Sequence, residues 1–472
     1  MAKIALIGAG SAIFTRTLVN DILSFPALAE STISLMDIDP GRLALARDLV
    51  AAMIAERRAP ARVEATLDRA EAIRGARYVV VTIQVGGLEA YAHDIEIPAR
   101  YGVGQCVGDT VGPGGVFRGL RTIPVLLDLC REMEQLCPPD ALLLNYSHPM
   151  AINCWAIATT GRPHVGLSHG VQRTSHLLAH MINARHAAVT YRAAGINHQA
   201  WFLEFRHRGQ DAYPRLREWL RDSGKRGHEP VRFALMEHFG YFTTESSARA
   251  SEYLPYLRTT PARIEALVAQ FTSPLDSWCG WGRTGGYLRH CRERHLAYPD
   301  EVQTQLAEEA PLLGRRSDGY GAAIIHAMET NEPFRFNGNV PNTGLITNLP
   351  QGSCVEVPCL VDAMGVQPTV VGALPPQLAG LNRGLISTQE LATIGGVWGD
   401  RQAVHHAVLL DPLTAAVCDM DQVHAMVDEL FEAEAAWLPQ FARGAAGQGG
   451  VGAGGDRQAP GTEVDAPAPA PR

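Results

Sequence analysis

The sequence predicts an α/β protein in which an N-terminal doubly wound parallel sheet is followed by a mixed α+β C-terminal lobe. Three observations carry that prediction. Ile4 to Ile7 is an apolar run that breaks into Gly8-Ala9-Gly10 and resumes at helical spacing through Ile13, Phe14, Thr17 and Leu18, a buried strand turning sharply into a helix. Strand-like and amphipathic stretches then alternate to about residue 170, and beyond residue 188 the alternation fades.

The first turn has the chemistry of a dinucleotide site. Gly8 allows the tight turn, Gly10 lets the backbone approach a pyrophosphate, and the amides from Ser11 onward face its charge. The third glycine of the usual fingerprint is replaced by Ile13, so the turn alone is weak evidence. The next strand, Ile33 to Met36, ends in Asp37, where an acid accepts hydrogen bonds from the adenosine ribose and repels a 2'-phosphate. NAD+ is therefore expected over its phosphorylated form. Asp39, before Pro40, suits the cap of the following helix.

Further strands are expected at Val63 to Thr66, Tyr78 to Ile83, Ala141 to Asn145 and His164 to Leu167, with helices such as Arg42 to Ile54 and Leu120 to Leu136 between them. Sheets of this type place ligands beyond the carboxyl ends of their strands. The segments there are polar or glycine-rich: Gln84 to Gly87 with Gly86, Asn145 to Pro149 with His148, and Ser168 to Gln172 with His169. Tyr101 to Leu120 holds seven glycines in twenty residues and is expected to make special turns close to a ligand. Asp109 is its only acid, serving either the ligand or a local turn.

In the second lobe, strands Val189 to Ala194 and Trp201 to Arg206 flank Gly195-Ile196-Asn197-His198, helices follow to residue 330, and a proline-rich strand region spans Gly338 to Pro358. A last helix is expected over Asp421 to Leu438. The domains are then 1–188, 189–443 and a disordered Gly-, Ala- and Pro-rich tail, 444–472, in an arrangement like lactate and malate dehydrogenases. The second lobe would cover the open edge of the nucleotide site.

A net charge of -8 with scattered Lys and Arg gives no basic face for nucleic acid, and no apolar run is long enough to span a bilayer. The first strand starts at residue 3, which leaves no room for a leader and makes a cytoplasmic location the expectation. Nine dispersed cysteines without a Cys-x-x-Cys pair argue against disulfides or structural zinc.

Taken together, Gly8 to Ser11, Val85 to Ala90, Gly102 to Gly115, Asn145 to Met150, Ser168 to Gln172, Gly195 to His198, Thr244 to Ser247, Ser251 to Tyr253 and Asn339 to Cys359 resemble the NAD-dependent glycoside hydrolases of family 4, closest to the branch holding α-galactosidases and α-glucuronidases. The resemblance implies hydrolysis outside the two-carboxylate scheme: NAD+ takes hydride from C3 of the sugar, a base removes the acidified C2 proton, the aglycone leaves C1, water adds and the hydride returns. It also implies a divalent metal, usually manganese, and a small-molecule glycoside as substrate, in a homodimer or homotetramer. By position Tyr253 is the C2 base, with Asp109, His169 and His148 as further catalytic candidates. Gly8, Gly10, Ser11, Asp37, Gly86 and Asn145 would hold the cofactor, and Asn197 and Arg249 the sugar.

Three departures from the family pattern stand out. Of the expected metal ligands only His198 matches, because His148 replaces the asparagine before Pro149 and Ser168 replaces the cysteine. Either His148 and His198, with Asp109 or water, still hold a metal, or the metal has gone and the imidazoles do its work. Where the related branch reads Glu-Ser-Ser-Glu-His, this chain has Glu245-Ser246-Ser247-Ala248-Arg249, a loss of negative and a gain of positive charge. That exchange would suit an anionic sugar such as a uronate or sulfoquinovose, with Trp281, Arg283 and Arg289 as possible helpers, and would help lower the pKa of the Tyr253 phenol. The alternative from another class is an NAD-dependent dehydrogenase of a sugar or 2-hydroxy acid.

Overall fold

The computed structural model describes residues 2–221, 226–271, 282–307 and 311–442. Trp281 and the tail from 444 onward lie outside these. Its centre is one twelve-stranded sheet. The first six strands are β1 (Lys3–Ile7), β2 (Thr32–Met36), β3 (Arg62–Thr66), β4 (Tyr78–Val81), β5 (Leu142–Asn145) and β6 (His164–Gly166). They run parallel in the order β3-β2-β1-β4-β5-β6, the doubly wound dinucleotide-binding order. Strands covered on both faces need apolar side chains on both, which is why β4 (Tyr-Val-Val-Val) and β5 (Leu-Leu-Leu-Asn) are wholly buried. The edge strand β3 carries exposed Arg62 and Glu64 instead. Asp39 caps the Pro40–Arg57 helix by accepting from the amides of Gly41 and Arg42.

The second lobe is not a separate layer. The strands β7 (Val189–Ile196), β8 (Gln199–His207), β9 (Gln210–Asp211), β10 (Phe334–Pro341), β11 (Cys354–Asp362) and β12 (Gly365–Pro368) are antiparallel. They continue the sheet in the order β10-β11-β7-β8-β9, joined to β6 where Asn339 pairs with Gly166, while β12 lies on β11. Two helices unforeseen in the sequence, the long Pro376–Trp398 and the shorter Arg401–Leu409, fold back on the N-terminal half. Arg121, fully buried, donates to Asp94 and Glu434 at 2.8 Å each and to the carbonyl of Val85, tying the C-terminal segment to the loop that precedes Gly86.

The glycine-rich insertion is also different from expectation. Only its first part is a loop, and a helix runs from Gly112 to Leu136. Gly114 and Gly115 serve close packing there: a Cβ on Gly114 would stand 2.4 Å from the carbonyl oxygen of Asp94, and one on Gly115 2.5 Å from the carbonyl carbon of Thr110. Glycine here removes a side chain from a contact; at Gly108 and Gly112, φ +59° and +74°, it permits the turn that was anticipated.

Candidate active site

The carboxyl ends of β1, β2, β4, β5, β6 and β7 bring the polar segments to one edge of the sheet. At β1 the chain turns through Gly8, φ +91°, where a Cβ would stand 2.8 Å from the Thr82 carbonyl oxygen. Gly10 donates its amide to Asp37 at 2.7 Å, and a Cβ on Gly10 would strike that same carboxylate. Asp37 also accepts from the amide of Asp39, and each of its oxygens keeps a lone pair. Ser11 is exposed at the start of the Ala12–Leu23 helix, whose first amides have no partner within the helix. This cradle fits a dinucleotide. Gly86, φ +77°, lies against Ala90 and the Trp437 ring, leaving no space for a side chain. Asn145 is engaged otherwise: it is fully buried and exchanges hydrogen bonds with the backbone of Ser147, so it shapes the loop leading to His148.

His198 is the hub of a second group. It lies in the two-residue turn between β7 and β8, with φ +63°, a conformation that aims its ring inward. Its Nδ1 is 3.1 Å from the Tyr253 hydroxyl and 3.5 Å from that of Thr110. Its Nε2 is 3.2 Å from Nε2 of His148 and 3.3 Å from a carboxylate oxygen of Glu245. Arg249 donates to Asp109 and, at 3.4 Å, to Thr110, and its Nε lies 3.8 Å from Glu245. Asn197 is fully buried beside His198 in the chain, and neither end of its amide has a hydrogen-bond partner.

Burial dominates the electrostatics. It pulls His148 down to about 3 and His198 well below the usual imidazole range, so both rings are neutral at neutral pH. Burial pushes the Asp109 carboxyl upward, but the surrounding cations, Arg249 first, outweigh it and hold the group well below the ordinary carboxylate range. The expectation for Tyr253 reverses. Burial raises its phenol well above the usual value and Arg249, though it pulls the other way, does not win.

Among the described residues, two expected participants have no hydrogen bond to the hub. The Ser168 hydroxyl accepts from the Gly170 amide at 3.3 Å, closing its own turn. His169 stacks on Tyr146, ring centres 6.0 Å apart, and lines a cavity with Ser11, Phe14 and Arg173. Glu245 is the residue that the sequence reading placed only within a motif. Its spacing from Arg249, acid and base four apart, was the available signal. Among the described residues no three His, Cys, Asp or Glu side chains are arranged to hold a metal ion. The donor chemistry agrees: Ser168 supplies no thiolate, His148 stands where the asparagine would, and Asp109 is paired with Arg249, so these residues do not fit the ligand set that the resemblance implies.

Strand order and site together define an enzyme of the doubly wound dinucleotide-binding class. More narrowly, the chain belongs to family 4 of the glycosyl hydrolases and is a glycosidase: the model described as "Family 4 glycosyl hydrolase" matches residues 3–184 and that of the family's C-terminal domain residues 193–414. The chain is 41% identical to an alpha-galactosidase of Bacillus subtilis over 93% of its own length and 100% of the relative's. To an alpha-galactosidase of Rhizobium meliloti it is 38% identical, over 93% and 90%. A solved 6-phospho-alpha-glucosidase from gut microorganisms, in complex with NAD and Mn2+, has the same fold, with a TM-score of 0.75 at 21% identity over 93% of this chain and 99% of that one.

Proposed function

We propose that this chain is an NAD+-dependent glycosidase of α-hexosides, α-galactosides first. The observation that carries the reading is that the glycine turn with Asp37 and the buried group around His198 share one sheet edge, in a chain related to two alpha-galactosidases. Bound NAD+ would supply a hydride acceptor that returns the hydride within each turnover. Gly8, Gly10 and Ser11 hold the pyrophosphate and Asp37 the ribose. By position Tyr253 is the base at C2: its hydroxyl lies 3.1 Å from Nδ1 of His198, and the Arg249 charge favours its phenolate against the burial that opposes it. His148 and His198 position the sugar hydroxyls. An anionic sugar is the weaker reading, because the charge of Arg249 is already met by Asp109 and Glu245.

The test is a panel of nitrophenyl α- and β-glycosides, neutral, uronic and sulfonated, with NAD+. Release of nitrophenol from the α-galactoside with catalytic NAD+ and no NADH accumulation supports the reading. One NADH formed per turnover would make the protein a dehydrogenase. Tyr253→Phe should lower kcat by about 10²- to 10⁴-fold and abolish exchange of C2 deuterium with solvent.

A further inference from the structure

We propose that the guanidinium of Arg249 is the resident cation of this active site, supplying the positive charge that a divalent metal would otherwise bring, so that turnover needs no added metal. The inference rests on the glycosidase reading above and concerns how that chemistry is stabilised.

Arg249 lies in the short Ser247–Ala250 helix, and its side chain is buried among the reacting groups. It bridges two acids from separate segments, Asp109 and Glu245. Glu245 in turn reaches Nε2 of His198, and Thr110, which accepts from Arg249, reaches Nδ1 of the same ring. Asp109 is therefore bonded to the guanidinium, and Glu245 is shared, with one oxygen 3.8 Å from Arg249 and the other 3.3 Å from His198. The histidines face each other beside them, and Ser168 adds no anion. Asp109, Glu245 and Glu252 are the acids and Arg249 and Arg118 the cations that act on these groups, and a further double charge would have to approach fixed cations of the same sign in a poorly screened interior.

The guanidinium also has capacity left. Its Nε is buried without a hydrogen-bond partner, 3.8 Å from Glu245. In the reaction, NAD+ would accept the C3 hydride and the facing His148–His198 pair the O3 proton, giving a ketone. When Tyr253 takes the C2 proton, the C2–H electron pair moves into the C2–C3 bond and negative charge builds on O3. It then flows back as the C1–O bond breaks and the aglycone departs with the proton that the imidazole pair took from O3, before water adds across C1 and C2 and the hydride returns to C3. A permanent cation with several planar donors is suited to that transient oxyanion, and unlike a histidine it keeps its charge throughout.

The experiment uses the purified full chain with NAD+. Titration of Mn2+ followed by its electron paramagnetic resonance signal should show only the free ion, and hydrolysis of nitrophenyl α-galactoside should be equal in excess EDTA and in Mn2+. Arg249→Ala should lose about 100-fold or more in kcat, recover part of it with millimolar guanidinium chloride, and Arg249→Lys should fall between. One Mn2+ bound per wild-type chain and lost in His198→Ala, or activity abolished by EDTA and restored by Mn2+, would overturn the proposal. So would an Arg249→Ala protein that is folded by circular dichroism and fully active. If no glycoside in the panel is cleaved, the glycosidase reading fails, and the Mn2+ titration still decides whether the site binds a metal.

Discussion

His148 and His198 lie stacked, ring centres 4.8 Å apart at an angle of 17°, with their Nε2 atoms 3.2 Å from one another. One comes from the loop after β5 and the other from the β7–β8 turn. Two neutral imidazoles at this distance share a single proton between facing nitrogens or turn one donor each toward a ligand. They should act as a unit. His148→Ala and His198→Ala are each expected to lower kcat by about 10²- to 10⁴-fold, and the double variant by little more than the worse single one. A double-mutant cycle on kcat measures this, and strictly additive losses would contradict the shared role.

Asp37 accepts from Gly10 and would also meet the adenosine ribose, so its loss should be read in cofactor affinity rather than in the chemical step. Asp37→Ala is expected to weaken NAD+ binding by about 10- to 100-fold, to narrow the preference over NADP+, and to leave kcat at saturating NAD+ within about twofold. Calorimetric titration with both cofactors is the check.

Gly114→Ala probes the helix packing. The new methyl would meet backbone and Cβ atoms of Asp94 at 2.4 and 2.8 Å, with no flexible side-chain end to give way. A loss of about 1–3 kcal/mol is expected, seen as a lower unfolding temperature. The same substitution at Gly380, with nothing within 4 Å of its Cβ, should be neutral or slightly stabilising.

Glu356, on β11 between Asn339 and Gly195, is pushed up to about 8 by burial and then by Glu245. Between the ordinary glutamate range and pH 8 the folded chain holds a proton that the unfolded chain has released. Stability contributed by this group is therefore full at low pH, falls as pH rises through that window, and levels off above about 8. Glu356→Gln should flatten the decline in unfolding temperature from pH 6 to pH 9, at about 1 °C for each kcal/mol removed in a chain of this length. An unchanged slope would mean that Glu356 is ionised throughout.

The N-terminal sheet was legible because its strands are near-continuous apolar runs bounded by Gly8, Asp37 and Asn145, and because runs buried on both faces have no other stable home. The glycines from 114 onward differ from the expectation of turns, since glycine that turns a chain and glycine that lets a helix pack closely look alike in one dimension. The hub around His198 could be nominated by motif but not assembled. Asp109 and Arg249 are 140 residues apart and His148 and His198 are 50 apart, and no local pattern encodes their meeting. By itself the sequence determined the doubly wound half, the turn at Gly8 and Gly10, and which residue types could do chemistry. Only the tertiary structure decided that the second half extends the same sheet, that Arg249 faces two acids, and that burial outweighs charge at Tyr253. Those depend on which groups are desolvated together, and that is a property of the packed chain.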